Sequence, residues 1–289
     1  MHISLPGVMA AAVISATTLH AQTTATWDSV ASILQTPVTS PAGYYRYNFP
    51  RRDLDVHVGD VRLTPALALT GWLGFTPSGG QVMVMGDLVV TAAELPKVQQ
   101  SLERDGIEIS AVHNHLVGEN PQVYYVHVDA HGDALTLAQA FDRVLATTGV
   151  PRPVTTPTPM MLSIDTALVF GSLGRSGRAS GSVAQVGFNL IPDTVRLGTQ
   201  PLVPAMAYAS PINLQAVTPT RMVATGDFAL EARQLQPVRR ALIQHGITVT
   251  ALHSHLMGES PTVYYMHFWA DGAPDDVVRG LRAALDAAH

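Results

Sequence analysis

The chain carries one histidine-rich stretch twice. The residues HNHLVGENPQVYYVH run from His113 to His127, and HSHLMGESPTVYYMH run from His253 to His267, 140 residues further along. Ten of the fifteen positions are identical, and both copies keep His, His, Glu and His at the same offsets. Because repeats of solenoids and propellers are only about 20–50 residues long, this period indicates two copies of a domain-sized unit.

The similarity extends upstream, where Gly86–His115 aligns without gaps with Gly226–His255. In the first copy QVMVMGDLVV alternates and is rich in valine, which predicts a strand. A T-x-x-E capping box and apolar residues at spacings of three and four then predict a helix. IEISAVHNH and VYYVHV predict two further strands, and Asp133 can cap a second helix. Each copy therefore has the predicted order β-α-β-β-α, with extra strands upstream.

This order predicts an α+β fold in which each antiparallel sheet is covered by helices on one face. We expect two tandem ferredoxin-like repeats, at residues 27–150 and 160–289, whose sheets are related by a pseudo-twofold axis. The proline-rich segment 151–159 is the expected linker. Gly171–Ser182 is rich in glycine and serine but lacks a G-K-[ST] ending, which favours an ordinary loop over a phosphate loop. The Gly-Asp pairs at 86–87 and 226–227 predict a bulge or bend.

Composition and the N-terminus limit the classes of function. Residues 1–21 contain an apolar run from Val8 to Leu19 and a small residue at Ala21, which predicts a signal peptide and a periplasmic or secreted protein. No later segment has the ~20 apolar residues of a membrane span. The net charge is −5 without a basic cluster, which argues against nucleic-acid partners. The absence of cysteine excludes disulfides, thiolate metal ligands and a thiol nucleophile.

The histidines have the spacing of metal ligands on a β-hairpin. Side chains alternate along a strand, so a turn that places His113 opposite His127 puts both on the same face as His115 and Tyr125. Shifts by two residues preserve this, whereas a one-residue slip moves His127 to the other face. Two opposed imidazoles about 5 Å apart at Cβ can reach one ion. Glu119, in the turn, can be an oxygen ligand or a base.

We therefore predict one His3Glu-type site per copy. The predicted ligands are His113, His115, Glu119 and His127 in the first copy, and His253, His255, Glu259 and His267 in the second. This donor set suits a divalent transition metal, with zinc favoured and iron, manganese, nickel or copper as alternatives. Glu119 and Glu259 are candidate catalytic bases. Tyr125 and Tyr265 are candidate substrate contacts, although packing in the core is the simpler interpretation of both.

The segments GDLVVTAAEL, GIEISAVHNHLVGENP and YYVHVDAHGD resemble the LppY/LpqO-like family of exported bacterial proteins, from about Tyr44 to the C-terminus. The resemblance implies a tandem duplication and export but no defined reaction. Lipid anchoring does not carry over, since the chain has no cysteine. The H-x-H-x3-E group is also similar to the first ligand group of cupins. A bicupin is therefore an alternative fold, although cupins place their last histidine on a distant strand.

Three functions remain open at this stage. The favoured one is an exported metal-dependent enzyme, with hydrolysis through a metal-activated water preferred over a cupin-like oxygenase or isomerase. The second is a non-catalytic zinc- or copper-binding or delivery protein. The third is a metal-free module that binds a small molecule. A small or envelope-derived molecule is the expected partner, and the sequence does not predict an oligomeric state.

Overall fold

The computed structural model describes residues 24–40, 43–155 and 162–289. The predicted signal peptide and positions 156–159 of the predicted linker lie outside these residues. Within the described ranges, none of the helices has both the length and the apolar character needed to cross a bilayer.

The first copy contains α1 (Thr24–Leu34), β1 (Val38–Thr39), β2 (Tyr45–Pro50), β3 (His57–Val58), β4 (Val61–Arg62), β5 (Thr70–Ser78), β6 (Gln81–Thr91), α2 (Leu95–Arg104), β7 (Glu108–His113), β8 (Glu119–Asn120), β9 (Val123–Gly132) and α3 (Ala134–Leu145).

The second copy repeats this plan. Its Gly/Ser-rich segment, predicted as a loop, contains the end of α4 and a short edge strand, β10. The elements are α4 (Thr166–Leu173), β10 (Arg178–Ser180), β11 (Val183–Phe188), β12 (Arg196–Leu197), β13 (Gln200–Pro201), α5 (Pro204–Ala207), β14 (Ser210–Thr218), β15 (Arg221–Leu230), α6 (Ala232–Gln244), β16 (Thr248–Ser254), β17 (Glu259–Ser260), β18 (Tyr264–Gly272) and α7 (Pro274–Asp286).

Each copy forms one six-stranded antiparallel sheet. The strand orders are β1-β2-β5-β6-β9-β7 and β10-β11-β14-β15-β18-β16, so the prediction of two α+β repeats is confirmed. Both sheets are open and end in edge strands, which rules out the alternative of two cupin-like barrels. Within the unit β6-α2-β7-β9-α3 the strands lie in the order β6-β9-β7, so the last strand of the unit lies between the other two. The strand on the other side of β6 is β5, which precedes the unit, and the finer ferredoxin-like description stays a prediction.

Helices cover one face of each sheet. In the first copy Val98 of α2 and Phe141 of α3 pack on Val126 and Val128 of β9, and all four are fully buried. α6 and α7 pack in the same way on the sheet of the second copy. Burial of a side chain of this size stabilises the fold by about 1.5–3 kcal/mol. These outer cores hold each sheet rigid behind its inner face.

The two inner faces pack against each other. Met83 and Met85 of β6 lie in one buried cluster with Ala229 and Tyr265 of the other copy. Each copy also sends a loop across the inner face of its neighbour. The Tyr44 hydroxyl donates to the carbonyl of Ala205 at 3.2 Å. The Asn213 amide donates to the carbonyl of Leu67 at 2.7 Å. The interior between the sheets is therefore built by both copies.

Candidate metal centre

The six motif histidines meet in one cluster between the sheets. The rings of the equivalent residues His113 and His253 have centroids 4.3 Å apart. His115 stacks on His267 at 4.0 Å, and His127 stacks on His255 at 4.1 Å. The last two contacts interchange when the copies are exchanged, as expected around a twofold axis. The predicted pair of separate sites is thus corrected: the imidazoles of both copies form one shared cluster.

The strand register explains how the histidines reach this cluster. His113 lies opposite Tyr125, and Ala111 lies opposite His127, two residues away from the register assumed above. A β-bulge at Ser110 shifts the pairing by one residue. Without the bulge, His113 would point to the helix-covered face, away from His127. β16 and β18 repeat this register, including the shift between Val249 and Ala251.

Two aspartates complete the cluster. Asp87 lies opposite His127 on the neighbouring strand, and Asp227 lies opposite His267. His127 Nδ1 is 3.5 Å from Asp87 Oδ1, which is long for a hydrogen bond. His267 Nδ1 is 2.6 Å from Asp227 Oδ1, well within contact distance for an ion pair, although the contact lacks the geometry of a hydrogen bond. Asp87 also reaches across the interface, with Oδ2 at 3.7 Å from His255 Nε2. Neither aspartate was among the site residues predicted from the sequence, although the duplicated Gly-Asp pair was a signal for both.

The glycine of each Gly-Asp pair allows the strands to approach closely. A Cβ on Gly86 would lie 2.3 Å from the carbonyl oxygen of Trp72, and one on Gly226 would lie 2.1 Å from that of Pro211. Any side chain there would push the neighbouring strand away. The glycine is therefore a packing requirement that fixes the position of the aspartate that follows it.

The ring nitrogens are spaced as they would be around an ion. His113 Nε2 lies 3.1 Å from both His115 Nε2 and His255 Nε2, and His253 Nε2 lies 2.8 Å from His267 Nε2. Tetrahedral zinc with bonds of ~2.05 Å would place nitrogens about 3.3 Å apart. Among the described residues, three groups have donor atoms that all lie within 4.8 Å of one another: His113, His253 and His255; His113, His115 and His267; and Asp87, His127 and His255.

Several of these polar atoms lack any other partner. His127 is 2% exposed, yet neither ring nitrogen makes a hydrogen bond to any residue that the structure describes. Nδ1 of His113 is likewise buried without a described hydrogen-bond partner. Buried polar atoms are normally satisfied, so such a concentration of exceptions points to a ligand. The nitrogen and carboxylate donors match the preferences of divalent transition metals.

Burial keeps most of the imidazoles neutral. Desolvation, with smaller contributions from neighbouring histidines, lowers the pKa of His113 to about 3. The same cause holds the pKa of His115 and of His255 well below the usual value. At His127 burial would lower the pKa, but the adjacent Asp87 carboxylate outweighs it and raises that pKa. Neutral rings offer the lone pairs that a metal requires.

The predicted glutamates lie apart from these donor groups. Glu119 and Glu259 are buried in β8 and β17, and neither belongs to any of the three groups. Glu259 accepts a hydrogen bond from the backbone amide of Val263 at 2.9 Å, whereas Oε1 of Glu119 has no described hydrogen-bond partner. Asp87, and not the predicted Glu119, is therefore the carboxylate that lies within donor distance of the imidazoles. Burial is the main cause that raises the pKa of Tyr125 and of Tyr265, and the negative charge of Glu119 or Glu259, respectively, raises it further.

The tyrosines form walls of the site. The Tyr125 hydroxyl donates to the carbonyl of Ala68 at 2.7 Å, and the Tyr265 hydroxyl donates to that of Ala207 at 2.5 Å. Burial is the main cause that raises the pKa of both hydroxyls well above the usual value. The ring of Tyr125 stacks on His115 with centroids 3.5 Å apart. These contacts agree with the simpler interpretation of the tyrosines as packed residues that position the imidazoles.

A cleft of about 580 Å³ leads to the cluster. Its inner end is lined by Asp87, His115, His127 and His255, together with Tyr125, Tyr265 and Asp227. Its walls come from the inner faces of both sheets. The cluster therefore borders a cleft that is large enough for a small molecule.

Comparison with known proteins identifies a family but no reaction. The chain matches, in two copies, the family described as Domain of Unknown Function (DUF1259), over residues 28–147 and 168–287. The chain belongs to this family. No curated protein matches it. Among solved structures it is similar to a double-ringed trimeric shell protein from the RMM microcompartment, with 11% identity, 73% of this chain and 84% of that chain covered, and a TM-score of 0.21. The tandem matches agree with the duplicated fold.

Proposed function

We propose that this protein binds divalent transition metal in the histidine cluster between its two copies and uses it in catalysis. The observation that carries the proposal is that His113 belongs to two donor groups, one with His253 and His255 and one with His115 and His267. Its Nε2 lies 3.1 Å from Nε2 of His255 in the first group and 3.1 Å from Nε2 of His115 in the second. The unpartnered nitrogens of His127 support it further. Zinc is the favoured ion, because neutral imidazoles at this spacing suit its tetrahedral geometry.

The donor groups favour two ions with ligands that cross between the copies. Asp87 and His127 of the first copy combine with His255 of the second. The equivalent group, with the two copies interchanged, would be Asp227 and His267 of the second copy with His115 of the first. His115 and His267 lie together in one of the three donor groups. His113 and His253 lie on the axis between these positions and can serve either ion. Six imidazoles exceed the four ligands of a tetrahedral zinc ion, which favours a stoichiometry of two.

The chain's own residues prepare the site for chemistry. A bound divalent ion would supply Lewis acidity to a water molecule or to a substrate oxygen. Asp87 orients the His127 ring through its position on the neighbouring strand and offers a carboxylate within reach of a proton. Tyr125 and Tyr265 exclude water from the flanks. Glu119 and Glu259, outside the donor groups, remain candidate bases, and Asp87 and Asp227 join them because they lie at the cluster. Hydrolysis remains the favoured reaction class.

The cleft favours an enzyme over a carrier. A delivery protein needs a site at the surface from which an ion can transfer, whereas this cluster is deeply buried at His127 and His267. A substrate, in contrast, can enter the cleft and reach the ligands at its inner end. The surplus of imidazoles is the observation that keeps a zinc- or copper-storing protein as the second candidate.

Elemental analysis of protein purified without an affinity tag tests the proposal. We expect close to two ions per chain for the wild type and a clear loss for His255→Ala, because His255 belongs to two donor groups. Less than about 0.2 ion per chain, with no stabilisation by added zinc, would contradict metal binding. Hydrolysis assays with ester and phosphoester substrates then separate the enzyme from the storage protein, which would bind two ions and turn over none.

Two finer assignments belong to this proposal. The family match does not say whether the chain belongs to the LppY/LpqO-like proteins. The G-D…HNH…E-x-P…H pattern supports that assignment. The apolar segment Val8–Leu19 supports export, so that the metal would be acquired outside the cytoplasm. Immunoblotting of periplasmic and cytoplasmic fractions, with and without residues 1–21, tests the export.

A further inference from the structure

The two walls of the cleft have diverged, although the copies that build them are equivalent. In the first copy Arg46 pairs with Gly74, and Asn48 pairs with Trp72. The corresponding positions of the second copy are Gln185 opposite Asn213 and Gly187 opposite Pro211. At these positions the first wall carries a cation, an amide and an indole, and the second carries two amides, a glycine and a proline. The cation of the second wall, Arg178, lies on its edge strand β10. The first wall can recognise a ligand while the second leaves room for it.

Arg46 is held rigidly and has no described carboxylate partner. Its Nε donates to Asn48 Oδ1 at 2.8 Å, and its Nη1 donates to the Tyr44 hydroxyl at 3.3 Å. The guanidinium carbon lies 4.2 Å from the centroid of the Trp72 ring. Among the residues that the structure describes, no ion pair involves Arg46 (the chain as a whole is acidic). Three of its five N–H groups, including both on Nη2, are left for a ligand.

The strand register fixes the distance from this cation to the cluster. Asn48, Trp72, Asp87 and His127 lie side by side on four adjacent strands. At about 4.8 Å per strand, Asn48 is ~10 Å from Asp87, and at about 3.4 Å per residue along the strand the backbone of Arg46 is ~12 Å from that of Asp87. Arg46 lies on the same face as Asn48, two residues along the strand. Arg46 and these four residues all line the same cleft.

We infer that the cleft binds a small organic anion, with its carboxylate or phosphate group on Arg46 and its other end at the histidine–aspartate cluster. The inference rests on the proposed function for the role of the cluster end only. Arg178, exposed on β10 at the same cleft, adds a second positive charge that attracts such a ligand. A molecule that spans both anchors is no longer than about 12 Å, which limits it to the size of a short-chain or single-ring acid.

Arg46→Gln is the decisive variant, because the second copy already carries glutamine at the equivalent position. Isothermal titration calorimetry would measure binding of glutarate, benzoate and inorganic phosphate, with uncharged glutaramide for comparison. The full-length protein would be used both zinc-loaded and metal-free. Arg240→Gln removes the same charge from the exposed surface of α6 and serves as the matched control.

We expect at least one anion to bind the wild type and the control equally, glutaramide to bind at least tenfold more weakly than glutarate, and Arg46→Gln to weaken the anion at least tenfold. Preference for carboxylates or for phosphate identifies the anionic group. Equal binding by Arg46→Gln and wild type, or no binding of any probe by the wild type, would overturn the inference. The zinc content of Arg46→Gln reports separately on the proposed function: anion binding that depends on Arg46 in a protein that holds no metal would support the anion site and refute the metal.

Discussion

Replacement of His113 by leucine should have opposite effects on stability with and without metal. His113 is 9% exposed, its Nδ1 has no described hydrogen-bond partner, and its lowered pKa keeps the ring neutral at pH 7. A buried polar atom without a partner costs about 1–3 kcal/mol. Leucine is similar in volume, and a swap that conserves volume usually costs less than ~1.5 kcal/mol. In metal-free protein we therefore expect His113→Leu to raise the free energy of unfolding by about 0–2 kcal/mol.

With zinc the order should reverse. Free zinc at 100 times the dissociation constant stabilises the wild type by about 2.7 kcal/mol. His113 belongs to two of the three donor groups, so its loss weakens the ion held there. If the dissociation constant rises 100-fold, the same zinc concentration stabilises the variant by only about 0.4 kcal/mol. The wild type should then be the more stable protein by roughly 0–2 kcal/mol, and it should gain about 2 kcal/mol more from zinc than the variant does.

Urea denaturation followed by tryptophan fluorescence measures both differences, once in EDTA and once in excess zinc. His131→Leu is the control, because His131 lies on β9 like His127 but is exposed and belongs to no donor group. It should change stability by no more than about 0.5 kcal/mol in either condition. Equal stabilisation of wild type and His113→Leu by zinc would refute the role of His113 as a ligand. A loss of more than about 2 kcal/mol in EDTA would refute the argument from its unpartnered nitrogen.

Three further variants test other parts of the structure. Asp87→Asn keeps the shape but removes the carboxylate, and we expect zinc affinity to fall about 10–100-fold in competition with a chromophoric chelator. Glu94→Gln should destabilise the protein by about 1–3 kcal/mol at pH 7, because Glu94 pairs with the buried Arg51 at 2.8 Å. Burial would raise the pKa of Glu94, but Arg51, together with backbone hydrogen bonds, outweighs burial and lowers it. The stability that this pair contributes is therefore present above the unfolded pKa of about 4.5 and is lost as the pH falls through the folded pKa. Urea melts between pH 7 and 3 should show that Glu94→Gln loses less stability on acidification than the wild type does. Gly86→Ala forces a Cβ against the carbonyl of Trp72 and should lower the urea midpoint by more than Gly171→Ala in α4, where an added Cβ meets no atom within 4 Å.

The sequence was sufficient for the outline of the fold, because that outline depends on local patterns. Alternation gave the strands, and Asp133 caps α3 through its side chain as predicted. Gly106 ends the segment after α2 at φ 68°, which is the role expected for glycine at a helix C-terminus. The duplicated pattern then implied that the second copy would repeat the first. None of these inferences needs information about distant contacts.

The shared cluster could not be predicted in the same way. The hairpin argument assumed an unbroken ladder, yet the bulge at Ser110 decides which face His113 takes, and no residue type marks it in advance. The packing of one sheet on the other is a long-range arrangement that periodicity does not encode. The prediction named the histidines that converge but grouped them by copy, and it took the acidic residue from the turn, whereas Asp87 of β6 is the carboxylate that lies in a donor group with them.

The sharing of rings between the copies explains why both motifs are intact. If each copy held its own ion, loss of one motif would leave the other site working, and the second copy could decay. In the structure His127 contacts His255, and His115 contacts His267, so each half supplies rings that the other half needs. A substitution in either motif then damages the whole cluster. The cleft walls are free of this constraint, which is consistent with Arg46 and Gln185 having diverged at equivalent positions while the histidines kept their spacing.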